Sequence, residues 1–444
     1  MPSTRRLVLL LVALIGFWVI VAYHFLRSGE EDPTYNAEVD ELLAKIHDLE
    51  RQLDIENVAI KRLQAEVEAN SKLIRANRVN LEGQEPHGPW KEPIPILVFS
   101  CNRKDAVRAH VDRLISLRPS AERFPIIVSQ DCDDEATAQA IKSFGDKVTY
   151  VKHIAGDKAN LTIPNEHKRW TTYYRIARHY KLALHHTFRN LGYSTVVITE
   201  DDLDVAPDFF EYFSATRYLL DADPTLYCVS AWNDNGKKHL INENAPELLY
   251  RSDFFPGLGW MMSKKLWDEF EPRWPQGFWD DWIREPENRK NRSCIRPEIS
   301  RTAMSAYGQK GASEGLFFTK HLARVVLNHK SVEFTKLNLD YLQKNNYDSL
   351  FIKTVYTQAE PIRIDEMLGV PKSGSVRITY DANLDYIKKA DKLQIMHDFK
   401  AGVPRTAYQG VVTAFLNGLR VYLVPDPAKV SGYNKKWEVP AGID

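Results

Sequence analysis

The chain reads as an α/β protein with a largely parallel sheet and a small second domain, carried behind one membrane-spanning helix and a helical stem. Three observations predict this. From Ile94 onward, β-like apolar runs alternate with helix-like ones, the signature of βα units around a parallel sheet. Residues 7–26 form an apolar run of 20 residues without Lys, Arg, Asp or Glu, the length a helix needs to cross a hydrocarbon core. Between the two, apolar residues recur in steps of three and four from Val39 to Leu81, a heptad pattern. The expected divisions are therefore 1–6, a short tail; 7–26, an anchor; 27–93, a stem; 94–340, the α/β domain; and 341–444, a small second domain. The totals agree with several units, since 444 residues with 44% hydrophobic side chains exceed one small domain and are too apolar for a disordered chain. The balance of 59 basic against 59 acidic residues excludes both a chain-wide nucleic-acid footprint and a polyacidic buffer.

That zero is a sum of unlike parts. Arg5 and Arg6 precede the anchor, and residues 27–93 hold 15 acidic and 9 basic side chains, which leaves a net +4 on residues 94–444. Positive charge before the apolar run and acidic residues after it predict a cytosolic amino terminus and a lumenal remainder, a single-pass type II arrangement. A cleaved signal peptide would have a shorter apolar core ending in small residues, whereas this one ends Ala22-Tyr23-His24-Phe25. A lumenal chain tolerates disulfides, and four cysteines allow three connectivities. Cys101 and Cys132 each lie just past a β-like run, so parallel neighbours would bring them together, leaving Cys228 with Cys294. The alternative is four free thiols. Asn160-Leu-Thr162 and Asn291-Arg-Ser293 are glycosylation tripeptides compatible with that compartment.

In the stem, ten of thirteen a/d positions between Val39 and Leu81 are apolar, so a self-associating helix, a possible homodimer, is expected. Its charge is polarised: residues 30–56 carry ten acids and two bases, residues 57–78 two acids and five bases. That pattern suits an antiparallel partner better than a parallel one, and a solvated helical spacer is the plainer reading. Four prolines and two glycines from Gly83 to Pro95 end any helix there.

In the α/β region the expected elements are strands at Ile94–Ser100, Ile126–Gln130, Val148–Ile154 and Thr195–Thr199. Helices are expected at Lys104–Leu117, Asp133–Phe144 and roughly Asn165–Asn190. Later β-like runs lie at Val376–Tyr380 and Gly410–Leu423. Neither a GxGxxG nor a GxxxxGK[ST] motif occurs, so a phosphate would need another device. Thr199-Glu200-Asp201-Asp202 follows a strand directly. Carboxylates at that position can hold a hard divalent cation whose other ligands are phosphate oxygens and water; an acidic turn before a helix explains them equally simply. Phe278-Trp-Asp280-Asp281-Trp282 sets two carboxylates among aromatics. Rings suit the apolar faces of a sugar, and desolvation would raise a carboxylate toward use as a base; a capped aromatic core element is the alternative. In Phe254-Phe-Pro-Gly-Leu-Gly-Trp-Met-Met262 the glycines predict a close backbone approach ahead of a helix near Ser263.

These strings, together with Phe124-Pro-Ile-Ile-Val-Ser-Gln-Asp-Cys132, Val197 to Phe213, Cys228-Val-Ser-Ala-Trp-Asn-Asp-Asn-Gly236 and Arg296-Pro-Glu-Ile-Ser-Arg301, resemble the N-acetylglucosaminyltransferase I family over residues 94–438. The anchor and stem resemble it only in type. The resemblance implies a GT-A fold with residues 94–340 as the catalytic domain, a UDP-GlcNAc donor, and Mn2+ as cofactor. It further implies inverting transfer in β1,2 linkage to the α1,3-linked mannose of a five-mannose, high-mannose N-glycan, at the Golgi membrane and beside other glycosylation enzymes, with no nucleic-acid partner. By the same resemblance Asp202 would bind the metal, Glu200 and Asp201 the donor's sugar portions, and Arg103, Asp131 and His179 the uridine end. Ser313 would meet the donor from a glycine-flanked loop, and Asp280 would be the base. The residues alone do not separate Asp280 from Asp281. His179, a lone histidine in an Arg/Tyr-rich helix, has an ordinary packing explanation. His110 stands where animal relatives have an unpaired cysteine, and Thr302–Gly308 is two residues longer than theirs.

Overall fold

In the computed structural model the described residues are 14–25, 39–58, 86–310, 318–369 and 374–426. The chain divides into two compact units, Met1–Glu68 and Ala69–Asp444. In the first, residues 14–25 and 39–58 are helical, and Leu42, Leu49 and Leu53 of the heptad stripe face solvent. Residues 7–13 and 26 of the expected anchor and 27–38 and 59–85 of the stem lie outside the described set. Among the described residues no helix is long and apolar enough to cross a membrane.

The second unit is built on an eight-stranded sheet of order β3-β2-β1-β4-β8-β6-β9-β7. Its strands are β1 Ile96–Ser100, β2 Ile126–Gln130, β3 Thr149–Lys152, β4 Thr195–Glu200, β6 Leu226–Ser230, β7 Leu249–Ser252, β8 Trp260–Ser263 and β9 Ser293–Pro297, while β5 Leu203–Val205 pairs separately with β10 Thr302–Met304. β3, β2, β1 and β4 run parallel, and β8 enters antiparallel between β4 and β6. Burial on both faces explains the continuous apolar runs of the parallel strands. Along β1, Ile96 and Val98 join one core, while Leu97 and Phe99 join the other, the period of two that a pleated strand imposes. The first core packs against Val107, Val111 and Leu114 of helix Lys104–Leu117, the second against Ala177, Tyr180 and Leu184 of helix Thr171–His185.

The expected elements appear with locally explicable ends. Asp134 starts the helix Glu135–Lys142, expected over Asp133–Phe144, by accepting from the Thr137 amide, an N-cap. The stretch expected as one helix over Asn165–Asn190 is a 3-10 turn, an α-helix Thr171–His185 and a π turn in succession. Gly259 does have the close approach its motif predicted: it takes φ +92°, and a Cβ there would stand 2.5 Å from Thr302 Cγ2. The run Gly410–Leu423 is two strands, β15 Val412–Leu416 and β16 Leu419–Pro425, turning at Asn417-Gly418 with both φ positive, a two-residue hairpin turn. With β11 Glu360–Pro361 and β12 Ser375–Tyr380 they form a four-stranded sheet, packed on helix Asn383–Lys392 through Val376, Ile378, Tyr386 and Val421. A short hairpin of β13 Phe399–Lys400 and β14 Val403–Pro404 precedes β15. The two sheets lie on either side of residue 340 yet belong to one compact unit.

Candidate active site

The carboxyl ends of the parallel strands carry the candidate residues. β1 aligns with β4, Phe99 opposite Glu200, so the turns after the two strands are neighbours. Glu200 ends β4, and Asp201 and Asp202 follow it, both buried. Ser100, the last residue of β1, donates to Asp201 Oδ2 at 2.8 Å. Arg103, just beyond, donates Nη1 to Asp202 Oδ2 at 2.8 Å and Nη2 to Asp201 Oδ1. Tyr180 OH donates to Glu200 Oε1 at 2.9 Å. The Ser305 amide donates to the Asp202 carbonyl at 2.8 Å. His110, buried under the turn, lies 2.5 Å from the Leu203 carbonyl through Nδ1 and 2.9 Å from Thr199 Oγ1 through Nε2. Burial lowers its pKa to about 4; the neutral ring with its proton on Nδ1 donates to the carbonyl and accepts the hydroxyl.

Electrostatically the cluster is crowded. Burial, reinforced by Asp202, raises the Glu200 carboxyl to about 7, and burial raises Asp201 to about 6 against the pull of Arg103. Asp202 Oδ1 is buried with no hydrogen-bond partner among the described residues. A buried carboxylate oxygen left without a donor costs stability unless something binds it. Hard oxygen donors, one of them orphaned, fit a divalent cation of the Mg2+ or Mn2+ kind. No group of three or more His, Cys, Asp or Glu side chains arranged for a metal occurs among the described residues, so the protein's share of such a site would be Asp202, with the ligand's own oxygens completing it.

Asp131 follows β2 and accepts from Arg178 Nη1 at 2.6 Å; burial lifts its carboxyl to about 6 despite that partner. His179, beside Arg178, is buried, with Nε2 2.9 Å from Ser129 Oγ. The same hydroxyl meets His153 Nε2 at 3.1 Å. Burial keeps both rings neutral, His153 at about 4 and His179 well below the usual histidine value. The lone histidine of the sequence is thus half of a pair, and His153 went unseen because only the β2–β3 pairing brings it to Ser129. The Cys101–Cys132 disulfide, Cα atoms 4.9 Å apart, ties the turn carrying Arg103 to the turn carrying Asp131. Cys228–Cys294 joins register partners of β6 and β9. Both pairings are the expected ones.

Asp280 and Asp281 lie in the first turn of helix Trp279–Arg284, which Phe278 enters at φ +51°. They are not wrapped by the neighbouring rings: their side chains are 41% and 44% exposed. Trp279 instead turns inward to stack on Tyr180 and Trp260. What holds the carboxylates is Arg284, whose Nη1 lies 3.0 Å from both Asp280 Oδ2 and Asp281 Oδ1. Its Nε donates to the Phe255 carbonyl at 3.1 Å, and its guanidinium sits over Phe254. Lys400, from the β13–β14 hairpin, approaches Asp281 at 3.5 Å. Tyr180 links the two carboxylate groups physically, bonded to Glu200 and stacked on the residue before Asp280. Arg284 was not singled out from the sequence, although its i,i+4 and i,i+3 spacing to the two aspartates was visible there. Ser313 lies outside the described residues. Asn160 and Asn291 are both exposed.

Fold and site together define an α/β protein whose strand ends carry buried carboxylates at the usual ligand position of open α/β sheets. Comparison with known proteins narrows this. The GNT-I family model matches residues 1–437. A relative from Arabidopsis thaliana named alpha-1,3-mannosyl-glycoprotein 2-beta-N-acetylglucosaminyltransferase is 40% identical over 336 residues, covering 74% of this chain and 74% of its own. The chain belongs to the GNT-I family. Solved structures with similarity include the mannosyltransferase PcManGT from Pyrobaculum calidifontis in complex with GDP-Man and Mn2+, with TM-score 0.28 and 16% identity, covering 48% of this chain and 57% of that one. Another is S. aureus TarS 1-349, with TM-score 0.34 and 9% identity, covering 62% and 77%. Both are too distant to inform the site.

Proposed function

We propose that the chain is an inverting glycosyltransferase with a GT-A type catalytic domain, moving GlcNAc from UDP-GlcNAc in β1,2 linkage to the α1,3-linked mannose of a five-mannose N-glycan. Family membership supports the activity. The observation in the molecule that carries it is the pairing of a buried carboxylate cluster holding an orphaned oxygen, Asp202 Oδ1, with a second, solvent-reaching carboxylate at Asp280. Inversion in one displacement needs both, a stabilised leaving group on one side and a base on the other. In this reading Asp280 takes the proton of the mannose 2-hydroxyl as that oxygen bonds to C1 of GlcNAc, and the bond from C1 to the diphosphate oxygen breaks, its electron pair leaving with UDP. Arg284 fixes the direction of the Asp280 carboxylate. Asp202 would hold the divalent cation, Mn2+ in this proposal, which when bound neutralises charge on the departing diphosphate. Asp201 and Glu200 would take the donor's sugar portions, and Asp131 and His179 the uridine end with Arg103. Arg103 is engaged by Asp201 and Asp202, so reaching the nucleotide requires it to release them. Ser313 would contact the donor.

The proposed setting is the Golgi membrane, single-pass type II, resting on the uncharged run 7–26 and its flanking charges. Stem self-association and glycosylation at Asn160 or Asn291 belong to the same proposal. The test is transfer by the full-length protein in detergent from UDP-GlcNAc to a five-mannose glycan, with linkage analysis of the product. A β1,2 product on the α1,3 arm that requires Mn2+ is expected. Absence of product with Mn2+ present, or attachment at another hydroxyl, overturns the assignment.

A further inference from the structure

A cavity of about 250 Å³ is lined by Lys237, Lys320, His321, Arg324, Asp391 and Asp398 among others; it shares no lining residue with the carboxylate cluster or with Asp280 and Arg284. Its lining holds three cations and two carboxylates. Lys237 is 7% exposed, and the one hydrogen bond of its ammonium is a long one, 3.4 Å, to the Gln394 carbonyl. Among the described residues none of Lys237, Lys320 and Arg324 makes an ion pair, and the two lining acids are bonded to other side chains. Asp391 lies 2.5 Å from His397 Nδ1, and Asp398 accepts from Arg405 Nε at 2.6 Å. Asp234, on the far side of Arg405, is held by it as well. His321 Nδ1 is also buried without a partner.

A buried ammonium that makes no ion pair and only one long hydrogen bond is an unfavourable arrangement that folded proteins rarely keep. The local field registers it: burial and then Arg324 and Lys320 lower the Lys237 pKa, and burial with Lys237 and Lys320 lowers His321 to about 4. An anion in the cavity would remove the repulsion, and the donors match a compact oxyanion: a guanidinium fork, two ammonium groups and a neutral ring N–H.

We propose that this cavity binds a small doubly charged oxyanion, inorganic phosphate or a phosphate monoester, through Lys237, Lys320 and Arg324. The test is isothermal titration calorimetry of the full-length protein in detergent with EDTA present, using inorganic phosphate and, separately, a hexose 6-phosphate. Saturable binding of one anion per chain is expected, at least tenfold weaker in Lys237→Met and in Arg324→Gln and retained in Asp202→Ala. Arg324 is exposed, so its variant keeps the test valid if Lys237→Met fails to fold. Tighter binding of the hexose phosphate marks an ester as the ligand, and equal binding marks the free oxyanion. No saturable binding of either probe, undiminished binding in both charge variants, or loss of binding in Asp202→Ala overturns the proposal.

Discussion

The two carboxylate groups of the site are built in opposite ways. At the end of β4, Asp201 and Asp202 have side chains 0% and 7% exposed and share the partly exposed Arg103. On helix Trp279–Arg284 the order is reversed: Asp280 and Asp281 are 41% and 44% exposed, and the arginine they share is the buried partner, 9% exposed. One group is a low-dielectric cradle in which the proton affinity of Asp201 rises and an oxygen of Asp202 goes unpaired, as suits a ligand that brings its own positive charge. The other is held from beneath and left open above, as suits a group that must meet a hydroxyl arriving from solvent. A single acidic motif serves neither purpose; which side of the carboxylate is buried decides.

That contrast can be broken by experiment. The largest effect is expected from Asp280→Asn, which keeps the shape and removes the proposed base: kcat should fall by about 10²- to 10⁴-fold with UDP affinity spared. Equal losses in both quantities would move Asp280 to the donor side. Asp202→Ala should do the reverse first, weakening Mn2+-dependent UDP binding on the order of 10³-fold by calorimetry, and unaltered binding would remove Asp202 from the metal. Arg284→Lys keeps the charge but not the fork. A drop in kcat of roughly tenfold with the KM for UDP-GlcNAc unchanged is expected, and an unchanged kcat would reduce Arg284 to a packing residue over Phe254.

The smallest effect concerns the histidine pair beside Ser129. His153 is depressed to about 4, chiefly by burial, below its unfolded value, so its contribution is present above the unfolded pKa and is lost as pH falls toward 4. Asp131, raised to about 6, acts oppositely, its contribution present at low pH and lost as pH rises through 6. Denaturant unfolding between pH 6.5 and pH 4 should therefore show a flatter, or inverted, slope for His153→Gln than for the native chain. An identical slope would mean that the ring is protonated in the fold.

Much of this was legible in sequence because it is local. β2 and helix Lys104–Leu117 have the bounds that periodicity predicts, and Glu200 to Asp202 sit at a strand end as their position after Thr195–Thr199 implies. The hairpin at Asn417-Gly418 was equally local, and its turn signal lay inside what reads as one apolar run. Arg284 was there to be found at helical spacing. His153 was not, since Ser129, which bonds both it and His179, stands 24 and 50 residues away from them.

By itself the sequence determined the strands and helices from Ile94 to Thr199, the family, and the place of Glu200 to Asp202 at a strand end, because these follow from periods of two and 3.6 and from short strings of residues. Only the tertiary structure decided that Arg103 sits on Asp201 and Asp202, that Asp202 keeps an oxygen without a donor, that Asp280 is open to solvent, and that Lys237 is buried without an ion pair among the described residues. The contacts behind the first of these span 98 and 99 residues. Burial and counter-charge depend on which distant segments the fold stacks together, and a carboxylate's chemistry depends on both.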